Sequence, residues 1–166
     1  DHGELALEGL RTVLATVPRI EVVGEARTAA AMLAQITKLR PDVVLIDHTA
    51  VGFAADAIRD GVKRFRRTKF IAITPDPSQL ALMSALRAGV TSYIKKDCGA
   101  EEIIDAVLHT GDGQQFFCGK ILAAIQAAAL DVDSITEEFF DCAPVTVSER
   151  ESEIIALIAE GCSYTR

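Results

Sequence analysis

Asp1, Asp47, Thr74 and Lys96 supply the side chains that phosphoryl chemistry needs: two carboxylates, a hydroxyl and an ammonium. One carboxylate can accept the group as a nucleophile, carboxylates can hold a magnesium ion that neutralises it, and the hydroxyl and ammonium can bind its oxygens. Thr74 lies 27 residues and Lys96 49 residues past Asp47. Only a tertiary fold brings them together. In open α/β sheets ligands gather beyond the carboxyl ends of the strands. Asp47, Thr74 and Lys96 each sit at the end of a short aliphatic segment, and Asp1 stands just before the first helix.

Four such segments are rich in β-branched or aliphatic residues: 20–25, 42–47, 69–74 and 91–95. The stretches between them are long enough for helices, which is the rhythm of a parallel sheet. DVVLID, ending at Asp47, and FIAIT, ending at Thr74, are near-continuous apolar runs, so both are expected to be central strands covered on both faces. Thr28 is expected to cap a helix stopped by Pro41. A second amphipathic helix is expected over 97–110, with Ile103, Ile104, Val107 and Leu108 on one side. A helix over 4–16 has no strand ahead of it, although such a sheet needs an opening strand, and the chain begins without Met. The chain is therefore expected to be a piece lacking that strand, with its neighbours left unpaired.

Beyond Gly113, residues 114–118 suit a short extended piece, followed by an Ala-rich helix over 119–130. Residues 131–143 hold five acids and no base, and read as a solvated linker. Ser148 and Glu151 form a capping box opening an amphipathic stretch that stops at Gly161.

The 166 residues suffice for one domain of about 100–150 residues and a short second element. With 49% apolar and 25% charged residues, the composition excludes a disordered or collagen-like chain. No apolar run approaches the roughly 20 residues that span a bilayer, so a cytoplasmic protein is expected. Residues 1–130 hold 15 acids and 15 bases, whereas 131–166 hold nine acids against Arg150 and Arg166, so the net charge of −7 belongs to the last segment. Cys98, Cys118, Cys142 and Cys162 form no CxxC pair and have no accompanying His spacing, so they read as reduced thiols. The basic cluster Lys63, Arg64, Arg66, Arg67 and Lys69 reads as the solvated end of a helix.

Taken in order, HGELALEGLRTVL, RPDVVLID, IAIT, ALRAGVTSYIKKD and VSERESEIIALIAEGCS span nearly the whole chain. In that order and spacing they resemble a bacterial two-component response regulator of the NarL/LuxR class, a receiver domain followed by a helix-turn-helix. The resemblance implies a flavodoxin-like α/β receiver with a doubly wound parallel sheet over 1–113. It implies a linker with the Ala-rich helix and acidic segment over 114–143, and the beginning of a LuxR-type helix-turn-helix over 144–166. It further implies Asp47 as phosphoacceptor, Thr74 as switch hydroxyl, Tyr93 as switch aromatic and Lys96 as phosphate-binding lysine. Magnesium would be held by Asp1, Asp47 and the Thr49 backbone carbonyl.

The implied partners are a histidine kinase or small phosphodonor, a second copy of the chain, and promoter DNA, with no membrane. Only the first helix of the DNA-binding domain and the start of the next fall within the sequence, so no DNA-binding residue is expected in this chain. The implied role is a transcriptional regulator rather than an enzyme. Several positions depart from the family pattern. His2 stands where a second acid is usual, Ala50 and Val51 replace Met-Pro, and Pro75 follows Thr74 where a small residue usually admits the donor. These departures leave open an atypical receiver controlled by a ligand or protein partner. His2, His48 and Asp47 offer an alternative transition-metal set, and a small flavodoxin-like enzyme is the remote alternative.

Overall fold

The computed structural model describes residues 3–127. By compactness the chain divides into Asp1–Leu130 and Asp131–Arg166. The expectations for Asp1, His2, the acidic segment, the capping box at Ser148 and the helix-turn-helix over 144–166 lie outside the described residues.

The elements run in the order α1 (Glu4–Leu14), α2 (Ala29–Leu39), β1 (Val43–Ile46), α3 (Ala55–Arg64), β2 (Lys69–Thr74), α4 (Gln79–Ala88), β3 (Ser92–Lys95), α5 (Ala100–Gly111) and α6 (Gly119–Ala127). Among the described residues the strands form one parallel sheet in the order β1-β2-β3. Val43 faces Lys69 and Ile46 faces Ala72, while Ile71 faces Ser92 and Thr74 faces Lys95. That register brings the carboxyl ends of all three strands to one edge. No described helix is long and apolar enough to cross a membrane.

Local signals account for most boundaries. Thr28 caps α2 as expected, its hydroxyl oxygen accepting the Ala31 N–H at 3.2 Å. Ser78 does the same for α4 through Ala81. Gly89 ends α4 with a φ of +94°, a left-handed conformation that a side chain would strain. Helix α5 starts at Ala100 rather than Asp97, because Gly99 holds the extended N-cap position. The extended piece at 114–118 returns beside β3, where Tyr93 and Phe117 form an isolated parallel bridge. Phe70, Ile71, Ile73, Tyr93, Ile94 and Ile121 are fully buried and centre the core on β2 and β3.

Two expectations need correction. Residues 20–25 form no strand, and Val22 and Val23 remain 39% and 44% exposed. A strand needs a hydrogen-bonding edge as well as aliphatic side chains. Among the described residues no strand pairs with them, and they line an open groove of about 580 Å³ together with Leu10, Leu14, Val43 and Leu45. For the same reason β1 is an edge strand of the described sheet, with Val43, Val44 and Leu45 only half-buried. β2 is the central strand, as expected.

Candidate functional site

The sheet's carboxyl edge brings Asp47, Thr74 and Lys96 together. Asp47 is the first residue past β1 and is 3% exposed. Its Oδ1 accepts the Thr49 N–H at 2.9 Å and the Thr49 hydroxyl at 2.6 Å, an Asx-type turn that fixes the carboxylate at the strand end. Its Oδ2 lies 2.6 Å from Lys96 Nζ. Lys96 is held in place by its backbone: its N–H donates to the Thr74 carbonyl at 2.8 Å, carrying the ladder one residue past β3. The adjacent Lys95 pairs instead with Asp76 at 3.1 Å. Of the two consecutive lysines, Lys96 serves the pocket.

Behind this pair lies a buried polar relay. Thr74 and Tyr93 are both fully buried, and their hydroxyl oxygens are 3.3 Å apart. The Tyr93 hydroxyl also lies 2.9 Å from His48 Nε2, with the two rings edge to face at 86°. One proton and two lone pairs let the tyrosine hydroxyl serve both neighbours. Sequence reasoning missed this use of His48. Adjacent residues at a strand end point to opposite faces, which sends Asp47 to the pocket and His48 to the tyrosine. Of the His2, His48 and Asp47 set, Asp47 is bonded to Lys96 and Thr49 and His48 to Tyr93, while His2 lies outside the described residues.

Electrostatics follow from burial and partners. Burial pushes the Asp47 carboxyl up, but the Lys96 ammonium and the Thr49 donors outweigh it and hold it below its ordinary value of 3.8. Asp47 is thus ionised at neutral pH. Burial lowers the His48 imidazole below 6.5 despite the opposing negative charge of Asp47. Burial likewise pushes the Tyr93 hydroxyl up to about 12, against the hydrogen bond from Thr74.

The two downward shifts give a signed pH dependence. Below pH 6.5 the unfolded chain protonates His48 while the folded chain resists, so stability falls as pH drops. Stability from Asp47 is present above 3.8 and is lost as pH falls through its folded value. Between pH 7 and 5 the melting temperature of the full chain is expected to decline. The His48 contribution is bounded by about 1.4 kcal/mol per pH unit, and His48→Gln should flatten that part of the curve. A decline unchanged in the variant would exclude His48 as its source.

Pro75 and Val51 stand at exposed positions, Val51 at 82% exposure. Neither takes a place between Asp47 and Lys96.

The chain is similar to known proteins. The response regulator VraR of Staphylococcus aureus is 30% identical over 164 residues, covering 98% of this chain and 75% of that protein. The chain belongs to the response regulators of the NarL/LuxR class. DevR/DosR of Mycobacterium tuberculosis, named a DNA-binding transcriptional activator, is 28% identical over 166 residues, 97% of this chain and 72% of that protein. Among solved structures, the signal receiver domain of NarL from Mycobacterium tuberculosis is 30% identical with a TM-score of 0.64, covering 69% of this chain and 93% of that one. A LuxR-family regulator from Aurantimonas shares the fold at 22% identity and a TM-score of 0.73, over 79% of this chain and 94% of that one. No family model matches the chain.

A magnesium ion is implied for this response regulator by its family. The ionised Asp47 carboxylate and the Thr49 backbone carbonyl have the hard oxygen chemistry that magnesium requires. They fit the ion as a partial set among the described residues.

Proposed function

We propose that this response regulator is switched by phosphorylation of Asp47 and passes that signal to transcription. The observation that carries the reading is the convergence of an ionised, buried Asp47 with Lys96 Nζ at 2.6 Å, backed by Thr74 and Tyr93. An Asp47 carboxylate oxygen attacks the phosphorus of a phosphohistidine or an acyl phosphate. The bond to the leaving group breaks, and an aspartyl phosphate forms. Lys96 then transfers its ion pair to a phosphoryl oxygen, and the Thr74 hydroxyl donates to another. Magnesium, when bound by Asp47, the Thr49 carbonyl and Asp1, supplies neutralisation of the phosphoryl charge.

Thr74 is also the partner of Tyr93, so drawing its hydroxyl toward the phosphoryl group changes what the tyrosine hydroxyl bonds to. The faces around β2 and β3 would shift with it. The readout is assigned to homodimer formation and to promoter DNA, through a helix-turn-helix that starts at 144–166. Receiver boundaries of 1–113 and a linker over 114–143 complete the organisation. The protein acts in the cytoplasm as a stoichiometric switch rather than a turnover catalyst.

Beryllium trifluoride with magnesium mimics the phosphoryl group without a kinase. Amide spectra of the labelled full chain are expected to shift at Thr74, Tyr93 and Lys96 in the wild type, and to stay unchanged in Asp47→Asn. Equal shifts in both proteins would refute the assignment of Asp47.

A further inference from the structure

Away from the Asp47 pocket, the fold assembles a second cluster that the linear spacing of the cysteines conceals. Cys98 and Cys118 are both free thiols, 8% and 1% exposed. With Glu102, their sulfur and carboxylate ligand atoms all lie within 4.8 Å of one another. Two structural devices hold this geometry. The Cys98 N–H donates to the Lys95 carbonyl at 3.1 Å, closing the turn between β3 and α5, and Glu102 follows in the first turn of α5. The Cys118 N–H donates to the Tyr93 carbonyl at 3.3 Å, and the Cys118 carbonyl receives the Ile121 and Leu122 N–H groups that start α6. Beside the cluster, Lys120 binds both the carboxylate and the carbonyl of Asp97, at 2.8 and 3.1 Å.

We propose that Cys98, Glu102 and Cys118 bind a thiophilic divalent cation, for which zinc is the match in ligand chemistry. Two thiolates and a carboxylate are ligand types that zinc accepts, and they are too soft a set for magnesium. Three protein donors leave the fourth tetrahedral position to water, one short of the closed sets of structural zinc sites. The site is thus an exchangeable one. Without metal, burial and the neighbouring thiol push Cys98 up to about 12, so its sulfur carries a proton. On binding, each thiol loses its proton to solvent and its sulfur forms a bond to the metal, with no change of oxidation state. Occupation ties the loop two residues past Lys96 to the first turn of α6.

Cobalt(II) is the probe, added to the reduced full chain without oxygen. The expected result is one equivalent bound, with sulfur-to-cobalt charge-transfer and tetrahedral ligand-field absorption, protons released, and the spectrum abolished by zinc. Cys142→Ser with Cys162→Ser should leave the spectrum intact. Cys118→Ser should weaken binding by more than the roughly 10–100-fold that outer-shell changes cost. Glu102→Gln, at a half-buried position, tests the third ligand with the thiols unchanged, and should weaken binding without loss of the charge-transfer band. Absence of the spectrum in the reduced wild type, or a spectrum that follows Cys142 and Cys162, would overturn the proposal.

Discussion

Lys96→Ala is expected to lower the stability of the full chain by about 2–3 kcal/mol, because it strands the Asp47 carboxylate beneath the surface. Removing one partner of a buried ion pair costs roughly 3–5 kcal/mol. The Lys96 side chain is 26% exposed against 4% for Asp47, so water entering the gap offsets part of that cost. At about 2–4 °C per kcal/mol for a chain of this size, the melting temperature should fall by roughly 4–12 °C. With the ammonium gone, the Asp47 pKa rises because the lowering by Lys96 is lost, so acid unfolding moves to higher pH. Asp47→Asn in the same chain removes the stranded charge and should recover much of the loss. A double-mutant cycle reads this coupling directly. Strictly additive effects of the two substitutions would mean that the pair is not coupled in solution.

Phe70→Ala is expected to cost more still, about 3–5 kcal/mol, the range for emptying a buried aromatic site. Phe70 is fully buried on the central strand, and its ring packs so tightly against α3 that a Cβ at Gly61 would clash with its Cζ. Gly61 therefore has no room for a side chain, and the site cannot collapse without moving a helix. Against a typical total of about 5–15 kcal/mol, the variant forfeits a large share of its stability. Urea unfolding should show a lower midpoint with an unchanged slope. Gly61→Ala, which crowds the same contact, should cost about 1–3 kcal/mol. A Phe70→Ala midpoint within about 1 kcal/mol of the wild type would place this ring outside the structural core.

Where local pattern and tertiary context agree, the sequence was legible. Residues 69–74 form β2 as the aliphatic run indicates, Thr28 caps α2, and Asp47, Thr74 and Lys96 converge because each closes a strand of one parallel sheet. Residues 20–25 show the limit of that reasoning. Their side-chain pattern suits a strand, but none of the described strands pairs with them. His48 was missed for a related reason. A histidine after a strand end gives no sign of the tyrosine 45 residues later whose hydroxyl it meets. Cys98 and Cys118, twenty residues apart, carry no metal-ligand spacing. They meet because residues 114–118 return beside β3, a long-range contact shown by the Tyr93–Phe117 bridge. Helix α5 starts at Ala100, after the extended N-cap Gly99, and the carboxylate of Asp97 pairs with Lys120 ahead of it.

Intact mass spectrometry of the full chain and its Asp47→Asn variant, each incubated with acetyl phosphate and magnesium, tests the phosphoacceptor assignment without knowledge of the kinase. One phosphoryl adduct on the wild type and none on the variant is the expected result. An adduct of equal yield on both, or none on the wild type under conditions that label a control receiver, would contradict it.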